Sequence, residues 1–284
     1  MTQIKRVTLP KSEIKIFYRE QGAPDAPVLL LLHGFPSSSH QYRNIIPLLA
    51  TKYRVIAPDL PGFGFTEVPS TPSFNYTFAN LTTTIAEFLD VLTISRFAVY
   101  IFDYGAPVAL RLALQRPQSI TAIITQNGNA YEEGLGSFWE SIKAFWASGN
   151  TPQDRAKLSD SLLTFETTKF QYVQGTTNPE AIAPESYHLD YTLLQRPGNA
   201  DIQVDLFKDY ETNVALYPQF HQYFRESQVP LLAIWGKNDP IFIPPGAEAY
   251  KRDLPNAEVH LIEAGHFAVE SHTELIAGSD DCWM

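Results

Sequence analysis

Residues 97–114, FAVYIFDYGAPVALRLAL, carry the reading from which the fold follows. Six successive apolar residues, Phe97–Phe102, read as a strand buried on both faces. Helical apolar spacing resumes around Ala106, with Pro107 in the first turn, where a missing N–H costs little. Asp103 therefore falls at a sharp strand-to-helix turn. Such turns tend to hold one residue at positive φ, which Asp tolerates better than most residues. Gly105 leaves room for the new helix to pack back on the strand. A carboxylate here faces the positive end of a helix and its unpaired N–H groups, which favour the charge against desolvation. The same Asp also fits a plain helix cap. Its companions in the sequence separate the two readings.

Similar apolar, β-branched runs recur at Glu13–Tyr18, Val28–Leu32, Tyr53–Ala57, Thr121–Thr125, Leu231–Trp235 and Glu258–Ile262. Helical spacing lies between them at Tyr42–Leu49, Phe78–Leu92, Pro107–Gln115 and Ala247–Leu254. This alternation predicts a doubly wound α/β sheet. The rhythm breaks from about Tyr131 to Tyr217, an aromatic-rich stretch without a strand signal and with polar joints at Gly149–Pro152 and Gly175–Pro179. The spacing predicts a core of residues 1–130 and 218–284, with 131–217 as a helical insertion. A separate helical domain fits the composition too. A lid fits better, because ligand sites of α/β sheets lie at the carboxyl ends of strands, where this insertion starts and stops.

The chain has 284 residues, 44% hydrophobic and 18% charged, enough for a large core. Its net charge of −10 argues against nucleic acid and anionic membrane as main partners, and reads chiefly as general solubility. No apolar run approaches membrane-spanning length. Residues 1–10 are polar, without the apolar region of a signal peptide. The single cysteine, Cys282, leaves no intramolecular disulfide, and a cytoplasmic location is expected. No metal or cofactor is expected, and oligomeric state is not legible.

Strand Val28–Leu32 runs into His33-Gly34-Phe35-Pro36, a turn that can present the Phe35 backbone N–H toward Asp103. With the N–H of Tyr104 it would form an oxyanion hole. A plain tight turn is the simpler alternative. His33 reads as a structural hydrogen-bonding residue, and Asp59, in Asp59-Leu-Pro-Gly-Phe-Gly64, as a brace for its loop. Leu231–Trp235 leads to Gly236-Lys-Asn-Asp239-Pro240, and Glu258–Ile262 to Glu263-Ala-Gly265-His266-Phe267. The order Asp103, Asp239, His266 places a nucleophile, an acid and a base after successive strands.

Together these motifs resemble the α/β-hydrolase superfamily, and within it the epoxide hydrolase and haloalkane dehalogenase branch. Phe102–Pro107, Gln126–Gly134 and Trp235–Pro240 look like microbial epoxide hydrolase-like proteins, and the resemblance spans roughly Glu13 to Ile276. It implies a mostly parallel eight-stranded sheet with a helical cap and a small apolar epoxide or related substrate. It also implies catalysis by Asp103, Asp239 and His266, with the backbone of Phe35 and Tyr104 as oxyanion hole. Ile101 stands where serine-type relatives carry Gly, and Gln126-Asn127 where some relatives carry the acid, which favours Asp239. The family generally uses two cap tyrosines for ring opening. Tyr187 and Tyr191 are candidates for the later one. Phe145-Trp146 occupies the place of the earlier, so the indole N–H of Trp146 or Trp139 is the alternative donor.

Three functions fit. An epoxide hydrolase would use Asp103 in a displacement at carbon, followed by His266-activated hydrolysis of the ester. A haloalkane dehalogenase would use the same nucleophile, but that family usually places Trp after it and Asn in the turn, where this chain has Tyr104 and Phe35. A non-catalytic protein binding a small apolar ligand would not need the ordered Asp–Asp–His set. The tail from Ile276 to Met284 does not resemble an ordinary closing helix.

Overall fold

The strand holding Phe97–Phe102 is completely buried and lies near the middle of the sheet, as its unbroken apolar run requires. The computed structural model describes residues 1–70 and 73–279. Its eight strands are β1 (Gln3–Thr8), β2 (Lys15–Gln21), β3 (Val28–Leu32), β4 (Arg54–Pro58), β5 (Phe97–Phe102), β6 (Ile120–Gln126), β7 (Leu231–Gly236) and β8 (Glu258–Ile262). They form one sheet in the order β1-β2-β4-β3-β5-β6-β7-β8. Only the β1–β2 and β2–β4 pairings are antiparallel.

The core helices are α1 (Ile45–Leu49), α2 (Phe78–Val91) and α3 (Gly105–Gln115). Between β6 and β7 lie α4 (Glu140–Trp146), α5 (Pro152–Leu162), α6 (Phe165–Val173), α7 (Pro184–Leu194), α8 (Asn199–Asp209) and α9 (Glu211–Ser227). The chain then continues through α10 (Pro245–Asp253), α11 (Ala268–Ser271) and α12 (Thr273–Gly278). Among the described residues no helix is long and apolar enough to cross a membrane. Cys282 lies outside the described residues.

Three differences from the sequence reading have physical causes. Strand β1 gave no signal because it is an edge strand, half-exposed to exposed along its whole length, so no apolar run was needed. The predicted insertion boundary at residue 217 falls inside α9, one residue before Pro218. That helix packs on both α8 and the core helix α3, so the backbone carries no break there. The tail from Ile276, which does not resemble an ordinary closing helix in sequence, begins inside the short helix α12, Thr273–Gly278, and its residues 280–284 lie outside the described residues.

Register positions the loops. Leu32 pairs with Ile101, Phe102 with Gln126, Thr125 with Ala233, and Gly236 with Ile262. The carboxyl ends of β3, β5, β6, β7 and β8 therefore form one row. The chain moves from β4 on one side of β3 to β5 on the other, so winding reverses beside β3. A crevice opens at such a point. The His33–Pro36 turn and Asp103 both sit there.

Candidate active site

Asp103 occupies the turn between β5 and α3 at φ 46, the left-handed conformation expected for it. Close approach is set by two glycines. A Cβ on Gly34 would lie 2.1 Å from Asp103 Oδ1, and one on Gly105 would lie 2.1 Å from the Leu32 carbonyl oxygen. Neither could be accommodated without moving the carboxylate or α3.

The two carboxylate oxygens of Asp103 have different surroundings. Oδ1 accepts the Phe35 backbone N–H at 2.6 Å. The backbone N–H of Tyr104 also acts on this carboxylate. Oδ2 lies 3.9 Å from His266 Nε2, too far for a hydrogen bond. That Nε2 is buried and has no hydrogen-bond partner. The other ring nitrogen, Nδ1, is 2.8 Å from Asp239 Oδ2. Asp239 Oδ1 accepts the Ile241 N–H at 2.7 Å. All three side chains are buried.

Burial pushes the Asp103 carboxyl up to about 6, against the opposing pull of His266 and the Phe35 and Tyr104 backbone donors. Burial acts on His266 in the downward direction, but the charge and hydrogen bond of Asp239, helped by Asp103, outweigh it and the imidazole is raised. An oriented imidazole with a free nitrogen beside a carboxylate can activate water against a group bound to that carboxylate.

Supporting residues take the places their sequence suggested. His33 Nε2 accepts the Leu60 N–H at 2.9 Å while Nδ1 lies 3.0 Å from the Gly34 carbonyl, so this buried ring is a structural link. Asp59 accepts the N–H groups of Ser39 and Phe65, at 2.8 and 2.7 Å, and braces both loops. Asn127 is a contributor that the sequence reading left as a mere absence of acid. Its Nδ2 donates to Asp239 Oδ2 at 2.7 Å and its Oδ1 accepts the Gly236 N–H at 3.0 Å. The amide therefore holds the very oxygen that orients His266.

The cap candidates are not gathered together at Asp103. Trp146 Nε1 donates to the Phe207 carbonyl at 2.8 Å, and Trp139 Nε1 to the Ile241 carbonyl at 2.9 Å. Both indole N–H groups are thus committed to the protein, which corrects their expected part as donors to a leaving group. Tyr187 packs among Phe165, Tyr172 and His188. Tyr191 lines an open cleft of about 790 Å³ among α5, α6 and α7, with Phe165, Glu166 and Arg196. Tyr210, at the junction of α8 and α9, is instead the aromatic residue from this region whose phenol feels the charge of Asp103. Its ring lies 5.7 Å from that of Tyr104 and 4.5 Å from that of Trp139. Tyr210 and Tyr104 are buried, and neither hydroxyl has a hydrogen-bond partner of normal geometry. Burial raises both phenols well above their ordinary range, and the charge of Asp103 adds to each shift. Tyr210 falls at a helix joint without a motif, so only its aromatic character was visible in sequence. Among the described residues no group of three or more His, Cys, Asp or Glu is arranged to hold a metal ion.

A family model described as alpha/beta hydrolase fold matches residues 27–273. The chain is 49% identical over 266 residues to an uncharacterised hydrolase of Saccharomyces cerevisiae, covering 93% of this chain and 91% of that one. It is 26% identical to a haloalkane dehalogenase of Mesorhizobium japonicum, over 100% of this chain and 92% of that one. A shorter likeness, 36% identity over 125 residues, joins it to a protein named epoxide hydrolase 3 from Siraitia grosvenorii, covering 44% of this chain and 39% of that one.

Proposed function

The chain belongs to the alpha/beta hydrolase fold family, and on that premise we propose that this hydrolase opens epoxides to diols through an ester on Asp103. The observation that carries the proposal is the division of labour within the Asp103 carboxylate. Oδ1 already sits on the Phe35 N–H, while Oδ2 has the unpartnered His266 Nε2 3.9 Å away.

Oδ2 attacks an epoxide carbon, and the carbon–oxygen bond breaks toward the ring oxygen. That oxygen takes a proton from the Tyr210 hydroxyl, with the Tyr104 hydroxyl as a second donor to it. As Oδ2 becomes an ester oxygen, Asp103 loses the negative charge that added to the effect of burial on both phenols. They become better donors at the moment the leaving oxygen needs them. His266 Nε2 then takes a proton from water, and the hydroxide adds to Asp103 Cγ. The resulting charge falls on Oδ1, already aimed at the Phe35 and Tyr104 N–H groups. Losing one such donor typically costs about 10²–10³ in rate. Collapse releases the diol, the restored carboxyl giving its proton to the departing alkoxide and His266 returning its own to Tyr210. The helices of residues 131–217 act as the cap over this chemistry.

The full-length likeness to a haloalkane dehalogenase favours a second reading, in which halide leaves from the same nucleophile. Hydroxyls of Tyr210 and Tyr104 without a hydrogen bond of normal geometry, together with committed indoles, support the epoxide instead, because halide calls for N–H donors.

The test is peptide mass mapping of His266→Ala after exposure to styrene oxide and, separately, to 1-bromobutane. An epoxide adduct on Asp103 is expected, absent in Asp103→Ala. Tyr210→Phe should slow formation of that adduct by about 10²-fold. An adduct from bromobutane alone would establish the dehalogenase. No adduct from either, with ligand binding unaffected by the His266 change, would leave a binding protein.

A further inference from the structure

A second buried acid lies between cap and core, outside the set used above. Asp190 of α7 is 1% exposed, and its Oδ1 has no hydrogen-bond partner. Its Oδ2 accepts the hydroxyl of Tyr172 from α6. Ser37 Oγ, in the core turn, lies 3.3 Å from the same phenol oxygen. Ser37 is two residues beyond Phe35, and its N–H donates to the Gly34 carbonyl at 2.9 Å. On its other side the Tyr172 ring stacks on Phe267, with centroids 3.8 Å apart and planes 12° from parallel. Phe267 follows His266, and both rings pack on Phe102, at 4.9 and 4.6 Å. One cap side chain therefore touches both segments that carry the site: the turn with Phe35 and the loop with His266.

A buried acid with an unpartnered oxygen costs stability that an apolar side chain would not. Packing alone does not call for it. We propose that Tyr172 is a positioning residue whose hydroxyl, bridged between Asp190 and Ser37, fixes the Phe35 turn while its ring fixes the His266 loop. Burial first, then the charges of Glu270 and Asp59, push Asp190 up to about 8, against the hydrogen bonds of Tyr172 and Ser37. Arg43, the cation facing Tyr172, is held in an ion pair with Glu270 at 2.6 Å. The bridge is thus built with a neutral acid, and ionisation brings a third negative charge beside Glu270 and Asp59. The bridge is therefore intact below the pH at which Asp190 ionises.

This inference rests on the reading of Asp103 and His266 given above, and its test has one arm that needs no substrate. Hydrogen–deuterium exchange, corrected for intrinsic rates, is followed in segments 33–39 and 264–270 of the full chain. In Tyr172→Phe, which removes the hydroxyl and keeps the ring, segment 33–39 should exchange about tenfold faster near pH 7 while 264–270 changes less, and Tyr172→Leu should loosen both. The unaltered protein should loosen there only when taken to about pH 9, and Asp190→Asn, which keeps a neutral acceptor, should not loosen at either pH. In the second arm, single turnovers of styrene oxide by Tyr172→Phe should show ester hydrolysis slowed about tenfold with alkylation less affected. Unchanged exchange in Tyr172→Phe, or alkaline loosening that persists in Asp190→Asn, overturns the proposal. Failure of any ester to form on Asp103 in His266→Ala, with the exchange results as expected, overturns the reaction and leaves the bridge.

Discussion

Asp103 carries its charge where burial opposes it, and that opposition is measurable in the fold itself. A carboxyl shifted from 3.8 to about 6 is neutral in the folded chain at pH values where the unfolded chain has already ionised. Its contribution to stability is complete below about 4 and is lost as pH rises through about 6, on the order of 3 kcal/mol in all. Asp103→Asn keeps an acceptor for the Phe35 N–H and removes the charge. It should therefore be inactive yet more stable than the unaltered chain in denaturant near pH 7.5, by up to that amount, with the difference vanishing near pH 4. Equal stability at both pH values would show that the site stores no such cost. In the proposed reaction the same shift would set the acid limb of activity, because alkylation requires the charged form and falls as pH drops through about 6.

At the scale of elements, strand ends determine what can meet. The end of β6 carries an amide, Asn127, and the end of β7 the acid, Asp239, with the 2.7 Å hydrogen bond between them. Asn127 stands at φ 52, so the turn after β6 is bent to deliver this contact. Asn127→Ala should leave Asp239 Oδ2 with His266 alone and the Gly236 N–H buried without its acceptor. Loss of a buried hydrogen-bond partner costs about 1–3 kcal/mol. In the proposed reaction this is about a ten- to hundredfold slowing of the hydrolysis of the Asp103 ester, while alkylation, which would not use His266, changes little. Quenched-flow measurement of ester lifetime distinguishes this from equal slowing of both steps, which would place Asn127 outside the water-activating unit. The edge strand β1 shows the limit of element reading. Its exposed residues carry no burial pattern, and only its pairing with β2 makes it a strand.

Across the molecule, one ion pair joins distant parts of the chain around the site. Arg43 binds Glu270 through two nitrogens, at 2.6 and 2.9 Å. Ser186 of α7 donates to Glu270 Oε1 at 3.1 Å. The Glu270 side chain is only 2% exposed, so removing its cation strands a buried charge. Arg43→Ala should lower unfolding free energy by about 3 kcal/mol, read by urea denaturation. Replacing both residues by apolar ones should restore most of it. A single-mutant loss under about 1 kcal/mol would show that solvent reaches Glu270 despite its burial.

The sequence by itself determined which residues meet at the strand ends of the core. The buried run Phe97–Phe102, the Asp103 turn, His33–Pro36, Asp239 and His266 are local patterns, each legible because strand period, helix start and turn chemistry are written within a few residues. Their convergence also followed, since parallel strands place successive loops at one sheet edge. Only the tertiary structure decided how the aromatic side chains of 131–217 are used. Tyr210, Tyr187, Tyr191, Trp139 and Trp146 are equivalent as letters. Which hydroxyl remains without a partner beside Asp103, and which indole is spent on a carbonyl, depends on how short helices pack across 131–217. Aromatic side chains fill a core equally well in several arrangements, so their period carries burial but not direction. For the same reason Asp190 and Tyr172, separated in sequence and joined only by packing, were visible in the fold and not before it.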